Sequence, residues 1–216
     1  MKRLIIVCEG PTEQEFCNYV LSPHLASFEI EVSAPVVKKS NGGIVPWYSL
    51  RTQILNHLRE TGAVVTMLVD YYGIKEHMGF PGWSESLLIP NKTERINFLI
   101  EKMRQDVSDD VRFRFLPYIQ LHEFEGLLFC DINSFRAIFN DDEAEFAKIE
   151  SAINEFDTPE DINNSPNTAP SKRLLDAIPG YNKILYGRML AESIGLDIIR
   201  SKCPMFNEWL TKLENI

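Results

Sequence analysis

The chain has 216 residues, of which 44% are hydrophobic and 25% charged, and its formal net charge is -9. Such values describe a folded globular protein and argue against a disordered chain. The acidic balance argues against a broad basic face, and so against free-standing sequence-specific DNA binding. No apolar run approaches the roughly 20 residues needed to span a bilayer. The apolar run after Met1-Lys2-Arg3 is too short for a secretory signal. A cytoplasmic protein with no membrane segment is expected.

The charge is unevenly spread. Residues 1–157 hold 15 Lys and Arg against 24 Asp and Glu, whereas residues 158–216 hold 7 of each. An acidic pocket for a metal ion, or a partner that supplies positive charge, fits the first part. Cys8, Cys17, Cys130 and Cys203 show no paired spacing and read as free buried thiols.

The chain opens on a strand. Leu4 to Val7 is a continuous apolar run, the pattern of a strand covered on both faces. Gly10-Pro11 breaks it. Thr12 with Glu15 reads as a capping box that starts a helix, and Phe16, Tyr19 and Val20 give that helix its apolar stripe. Phe28 to Val37 alternates as a second strand, with Pro35 marking an edge or an end. Lys38 to Gly43 is a loop, and Val45 to Leu58 a helix. Ala63 to Val69 is the second strongly buried strand, ended by Asp70. Tyr71 to Pro90 is a long loop, a length often tied to function. Asn91 opens a third helix with Ile96, Leu99, Ile100 and Met103 on one face. Val111 to Leu121 is a fourth strand.

This β-α-β-α-β-α-β order predicts an α/β fold with a mostly parallel four-stranded sheet, flanked by helices and joined by right-handed crossovers. After His122 the pattern changes to helices: an acidic one over Asp141 to Phe156, a polar linker over Thr158 to Pro170, then Ser171–Ile178, Tyr181–Ile194 and Pro204–Leu213. Residues 1–130 are expected to form the α/β core and residues 131–216 a helical extension packed on it.

Three acidic points fall at the carboxyl ends of these strands: Glu9, Asp70, and Glu123 with Glu125. In open α/β sheets that edge is where ligands bind. Convergent carboxylates repel one another, so they favour a cation such as Mg²⁺, or else a raised pKa suited to proton transfer. Taken singly, Glu9 also reads as a charge at the next helix N-terminus, and Asp70 as an Asx turn. Glu123 and Glu125, spaced i, i+2, share a direction on a strand and diverge on a helix. His122 reads as a core or boundary histidine. Ser171-Lys172-Arg173 places two cations in a first helical turn, against the helix dipole. An anion bound there would compensate, as would salt bridges to the acidic part of the chain. Dinucleotide, P-loop and nucleophile-elbow motifs do not occur. The aromatic residues around the long loop read as core or loop anchors that can also stack bases.

Glu9 in CEGPTEQEF and Asp70 in LVDYYG resemble the first two acids of a Toprim-type fold. That resemblance implies acids that bind Mg²⁺ and support phosphoryl transfer. More closely, EGPTEQEF, VDYYG, HEFEGLLF and APSKRL together resemble a small bacterial domain-of-unknown-function family (number four-two-seven-six). Its members are often encoded beside ABC/SMC-type ATPases in defence-related gene pairs. The second acid of the Toprim DxD pair is replaced by Tyr72, which argues against a two-metal site and leaves Glu123 or Glu125, less readily Glu76 or Glu85, to complete it.

The resemblance implies a nuclease or phosphoryl-transfer protein acting on DNA or RNA with Mg²⁺ or Mn²⁺, partnered by an ABC/SMC-type ATPase. Glu9, Asp70, Glu123 and Glu125 would be the catalytic and metal residues, and Lys172 and Arg173 the phosphate clamp. The alternatives are a non-enzymatic partner or sensor subunit of an ATPase, and a small-molecule nucleotide-binding domain. An oligomer is left open.

Overall fold

The buried apolar run of the first strand sits in the middle of the sheet. In the computed structural model, which describes residues 1–38, 43–162 and 168–216, β1 (Lys2–Cys8) pairs in parallel with β2 (Ile30–Ser33) on one side and β3 (Val64–Asp70) on the other. β4 (Phe115–Gln120) pairs in parallel with β3, giving the order β2-β1-β3-β4. Every strand is parallel, as the alternating pattern requires.

The helices follow in chain order. α1 (Pro11–Phe16) runs through a π turn (Cys17–Leu21) into α2 (Ser22–Ala26). α3 (Trp47–Leu58) leads to β3. The long segment after β3 is not structureless: it holds a 3-10 turn (Glu76–Met78) and α4 (Trp83–Ser86), anchored by buried Tyr71, Ile74 and Phe80. α5 (Lys92–Gln105) and the short α6 (Asp109–Arg112) precede β4. A 3-10 turn (Phe124–Leu128) follows β4, then α7 (Ile132–Ile138), α8 (Phe146–Asn154) and a 3-10 turn (Pro159–Asp161). α9 (Pro170–Ala177), α10 (Lys183–Ile194), α11 (Leu196–Lys202) and α12 (Pro204–Glu214) complete the chain.

Alternation along β1 sorts the core into two layers. Ile5 and Val7 join Val65, Met67 and Val69 of β3 against α3 and α5. Leu4, Ile6 and Cys8 face the other way, into a cluster with α1, α2 and the helices of residues 131–216, including Leu174, Leu190, Phe206 and Leu210. The C-terminal helices thus share this face of the sheet with α1 and α2. Trp209 on α12 stacks on Tyr118 of β4 with ring centroids 4.6 Å apart, and its indole N–H donates to Thr66 Oγ1 of β3 at 2.9 Å. No helix among the described residues is long and apolar enough to cross a membrane.

Several boundaries differ from those expected from sequence. β2 is short, and beyond Ser33 a single bridge joins Cys8 to Val36. β4 begins at Phe115 because Ser108-Asp109-Asp110 opens a helical turn instead, where acids favour a helix N-terminus. β4 continues through Pro117 because it pairs on one side only, the placement a strand proline tolerates. The acidic helix expected from Asp141 starts at Phe146. Gly195, at φ +77°, ends α10 and lets α11 begin at once, a helix that the sequence pattern missed. Most of the loop expected over 38–43, and the middle of the linker expected over 158–170, lie outside the described residues. All four cysteines are free and buried, with Cys8 beside Cys17 and Cys130 beside Cys203.

Candidate functional site

β1, β3 and β4 end at the same edge of the sheet, and each delivers acids there. Glu9 follows β1 directly and Asp70 is the last residue of β3. Glu9 Oε2 accepts the backbone N–H of Asp70 at 2.9 Å, so the two acids, 61 residues apart, are tied together. Asp70 Oδ1 accepts the N–H of Gly73. A Cβ on Gly73 would stand 3.0 Å from that oxygen and 3.3 Å from Ile44 Cγ2, so the turn after β3 closes tightly around the Asp70 carboxylate.

The helix after Glu9 starts two residues earlier than the Thr12–Glu15 pattern suggests. Gly10 is the N-cap, Pro11 holds the first helical position, and Glu13 reaches back to accept the Gly10 N–H at 2.9 Å. The capping-box acid is therefore Glu13, and the cap turns its buried carboxyl toward the strand ends.

β4 leads through His122 into the turn that carries Glu123 and Glu125. Glu125 is 3% exposed. Glu123 is half-buried, and its Oε2 accepts the N–H of Ser171 at the start of α9, 2.9 Å away. Lys183, at the start of α10, stands 3.4 Å from Glu125 Oε1 and 3.9 Å from Glu123 Oε1. Among the described residues, buried Glu125 Oε1 finds no hydrogen-bond partner, and neither does the buried hydroxyl of Tyr181 nearby. Glu123 and Glu125 do not diverge, as a regular helix would make them. The 3-10 turn presents both to one ammonium group.

The acids act on each other. Burial, followed by the charges of Asp70, Glu13 and Glu123, pushes the Glu9 carboxyl up to about 8 against the pull of the Asp70 N–H. Burial, with Glu125 and Asp70, pushes Glu13 up to about 7. Burial and Glu123 raise Asp70, while the Gly73 N–H, Lys75 and Lys183 draw it back. Burial raises Glu125, and Lys183 is the main counterweight. Five carboxyl groups from three strand ends and the first turn of α1 thus share one field.

The DUF4276 family, described as a domain of unknown function, matches residues 8–214. The chain belongs to that family. The match takes in every acid of the site and the four motifs that suggested the family. No curated protein and no solved structure matches the chain.

In this DUF4276 chain the two cations expected to form a phosphate clamp differ in their surroundings. Arg173 pairs with Glu155 at 2.8 Å, donates to the Thr168 carbonyl and lies over the Phe156 ring. Lys172 is exposed on α9. The anion at the α9 N-terminus is the protein's own Glu123 carboxylate. Tyr72, at the position of the second Toprim acid, stacks on the imidazole of His122 with centroids 4.8 Å apart. His122 is buried, both its nitrogens lack partners among the described residues, and burial followed by Lys92 lowers its pKa to about 4, so it is neutral. Glu76 and Glu85 are exposed on the segment after β3.

Sequence reasoning missed Glu13 and Lys183. Glu13 had a local signal: it lies one turn past Glu9, behind a proline at the first helical position. Lys183 had only the Asn182 cap beside it, and nothing in sequence links it to residues 60 positions earlier.

Among the described residues no group of three His, Cys, Asp or Glu side chains is placed to hold a metal ion. In kind, the donors suit a hard cation: they are carboxylate oxygens, and one buried oxygen lacks a hydrogen bond. Mg²⁺ often takes only one or two carboxylates and fills its other positions with water and substrate phosphate. Glu9 and Asp70 are the two carboxylates of this edge that a backbone hydrogen bond ties together, each with one oxygen already accepting an N–H.

Proposed function

We propose that this protein is a Mg²⁺- or Mn²⁺-dependent, Toprim-like phosphoryl-transfer enzyme, a nuclease acting on DNA or RNA. The observation that carries the reading is the convergence of Glu9, Asp70, Glu123 and Glu125 on one sheet edge, where burial and neighbouring acids raise the carboxyl pKa values of Glu9, Asp70 and Glu125. In open parallel sheets that edge is the ligand edge. The family resemblance adds an ABC/SMC-type ATPase as partner, a bacterial defence role and a cytoplasmic setting.

Glu9 and Asp70 would hold the ion. A bound Mg²⁺ supplies charge to polarise the phosphate and lowers the pKa of water. Glu13, with its carboxyl near 7, carries a proton that can be given or taken near neutral pH. Glu9 is locked onto the Asp70 N–H, which fixes its orientation. The neutral, buried His122 and the Tyr72 ring wall the site beside Glu123.

The experiment incubates the purified protein, alone and with its neighbouring ATPase, with single- and double-stranded DNA and RNA in Mg²⁺ or Mn²⁺. Cleavage is expected, with a loss of at least about 10²-fold in Glu9→Ala and Asp70→Ala, the scale of removing one well-placed catalytic group. No cleavage under any condition, or full activity in both variants, would sink the reading. The second reading is a non-enzymatic partner of an ATPase. It is favoured by the lack of a three-acid group among the described residues and by Tyr72 at the second acid position. Co-purification with the ATPase, with no divalent ion bound, would support it.

A further inference from the structure

We propose that Lys183 is a built-in cation of the acidic site. It neutralises Glu123 and Glu125 where a second metal ion would otherwise sit, so that the site takes a single divalent ion, at Glu9 and Asp70. This inference rests on the metal-dependent reading above and fixes its charge count.

Burial, charge and packing around the lysine support it. Glu125 is 3% exposed, and its Oε1 makes no hydrogen bond among the described residues. An ionised carboxylate in that position needs a counter-charge, and the Lys183 ammonium stands 3.4 Å away. Glu123 divides its two oxygens: Oε2 is taken by the Ser171 N–H, and Oε1 faces Lys183 at 3.9 Å. The pair that could have formed a second metal position is therefore already bridged by a cation.

Lys183 is also the first residue of α10, where the helix dipole disfavours positive charge. Asn182 caps that helix by accepting the Leu185 N–H at 3.0 Å, which fixes Lys183 at this position. The two carboxylates supply the compensation that the dipole withholds. α10 itself is held close by Gly187, where a Cβ would come within 3.3 Å of Thr12 Cγ2 and 3.4 Å of the Phe124 ring. Thr12 lies beside Glu13 and Phe124 beside Glu125, so the lysine is registered against both sides of the site. Finally, two residues past Asp70 stands Tyr72, stacked on His122, and not a second acid.

The test counts ions directly. Mn²⁺ is titrated into the wild-type chain and into Lys183→Gln, Lys183→Arg and Lys183→Gln/Glu125→Gln, with bound ions followed by the loss of the free Mn²⁺ EPR signal. Melting curves confirm that each variant folds, as expected for the partly exposed Lys183 and for the near-isosteric Glu125→Gln. One equivalent is expected in the wild type and in Lys183→Arg. Two are expected in Lys183→Gln, and one again when Glu125 is also changed. Two equivalents in the wild type, or one in Lys183→Gln, would overturn the inference and leave the metal-dependent reading standing. No Mn²⁺ bound in any variant would overturn both. The readout needs no substrate.

Discussion

Glu9 and Glu13 hold their protons because burial and neighbouring acids disfavour the ionised form. Their folded-state pKa values, about 8 and about 7, lie above the ordinary 4.5. Between those values and 4.5 the folded chain binds protons that the unfolded chain has released. Stability from this source is full below about pH 4.5 and is lost as pH rises through 7 and 8. The melting temperature is therefore expected to fall from pH 6 to pH 9, at about 2–4 °C per kcal/mol for a chain of this size. Glu9→Gln and Glu13→Gln should flatten the fall, and a wild-type profile that is flat or rising would refute the assignment. Divalent ions prefer the ionised carboxylates, so added Mg²⁺ should stabilise the chain more at pH 8 than at pH 6. Glu9 and Asp70 were legible in the sequence because each stands where a buried apolar run stops. Glu13 was hidden by Thr12 and Glu15, which mimic a capping box two residues along. Lys183 was hidden because its role depends on where α10 packs.

Helix ends show how far local signals reach in this fold. Asn91, Asp131 and Asn182 cap their helices as their types suggest, each accepting N–H groups of the first turn. Two other helices are capped from far away. α9 takes Glu123, and α12 takes Glu160, a 3% exposed residue of the segment read from sequence as a polar linker. Glu160 accepts the N–H of Met205 at 3.0 Å and of Phe206 at 2.8 Å. The charge of Glu160 suits the dipole at that N-terminus. Glu160→Ala leaves those N–H groups without their acceptor, one of them on fully buried Phe206. The expected cost is about 1–3 kcal/mol, read as a lower urea midpoint at unchanged m-value. Glu160→Gln keeps one acceptor oxygen and should cost less. Equal stability of Glu160→Ala and the wild type would refute this role. The parallel order of the strands could be read from sequence because strands and helices alternate. Glu160 could not, since a carboxylate in a proline- and asparagine-rich stretch looks solvated until α12 folds over it.

At the scale of the whole molecule, residues 1–130 and 131–216 divide the secondary structure but not the core. One apolar cluster runs from Leu4 and Ile6 of β1 through Phe16 of α1 to Leu190, Phe206 and Leu210 of the C-terminal helices. A sheet face left bare by removing those helices would expose that cluster to water, so neither part has a complete core alone. Trp209 concentrates the linkage, since it stacks on Tyr118 and donates to Thr66 across the layer boundary. Trp209→Ala should cost about 3–5 kcal/mol, the range for removing a large buried aromatic. Trp209→Phe gives a sharper test of unity. It leaves Trp47 and Trp83, which pack on the opposite face of the sheet, as the fluorescent reporters, while far-UV circular dichroism is dominated by the helices. Urea unfolding followed by the two signals should give coincident transitions. Two separated transitions would show that the C-terminal helices unfold on their own. The acidic site would then sit across a movable joint, because Lys183 belongs to one part and Glu123 and Glu125 to the other.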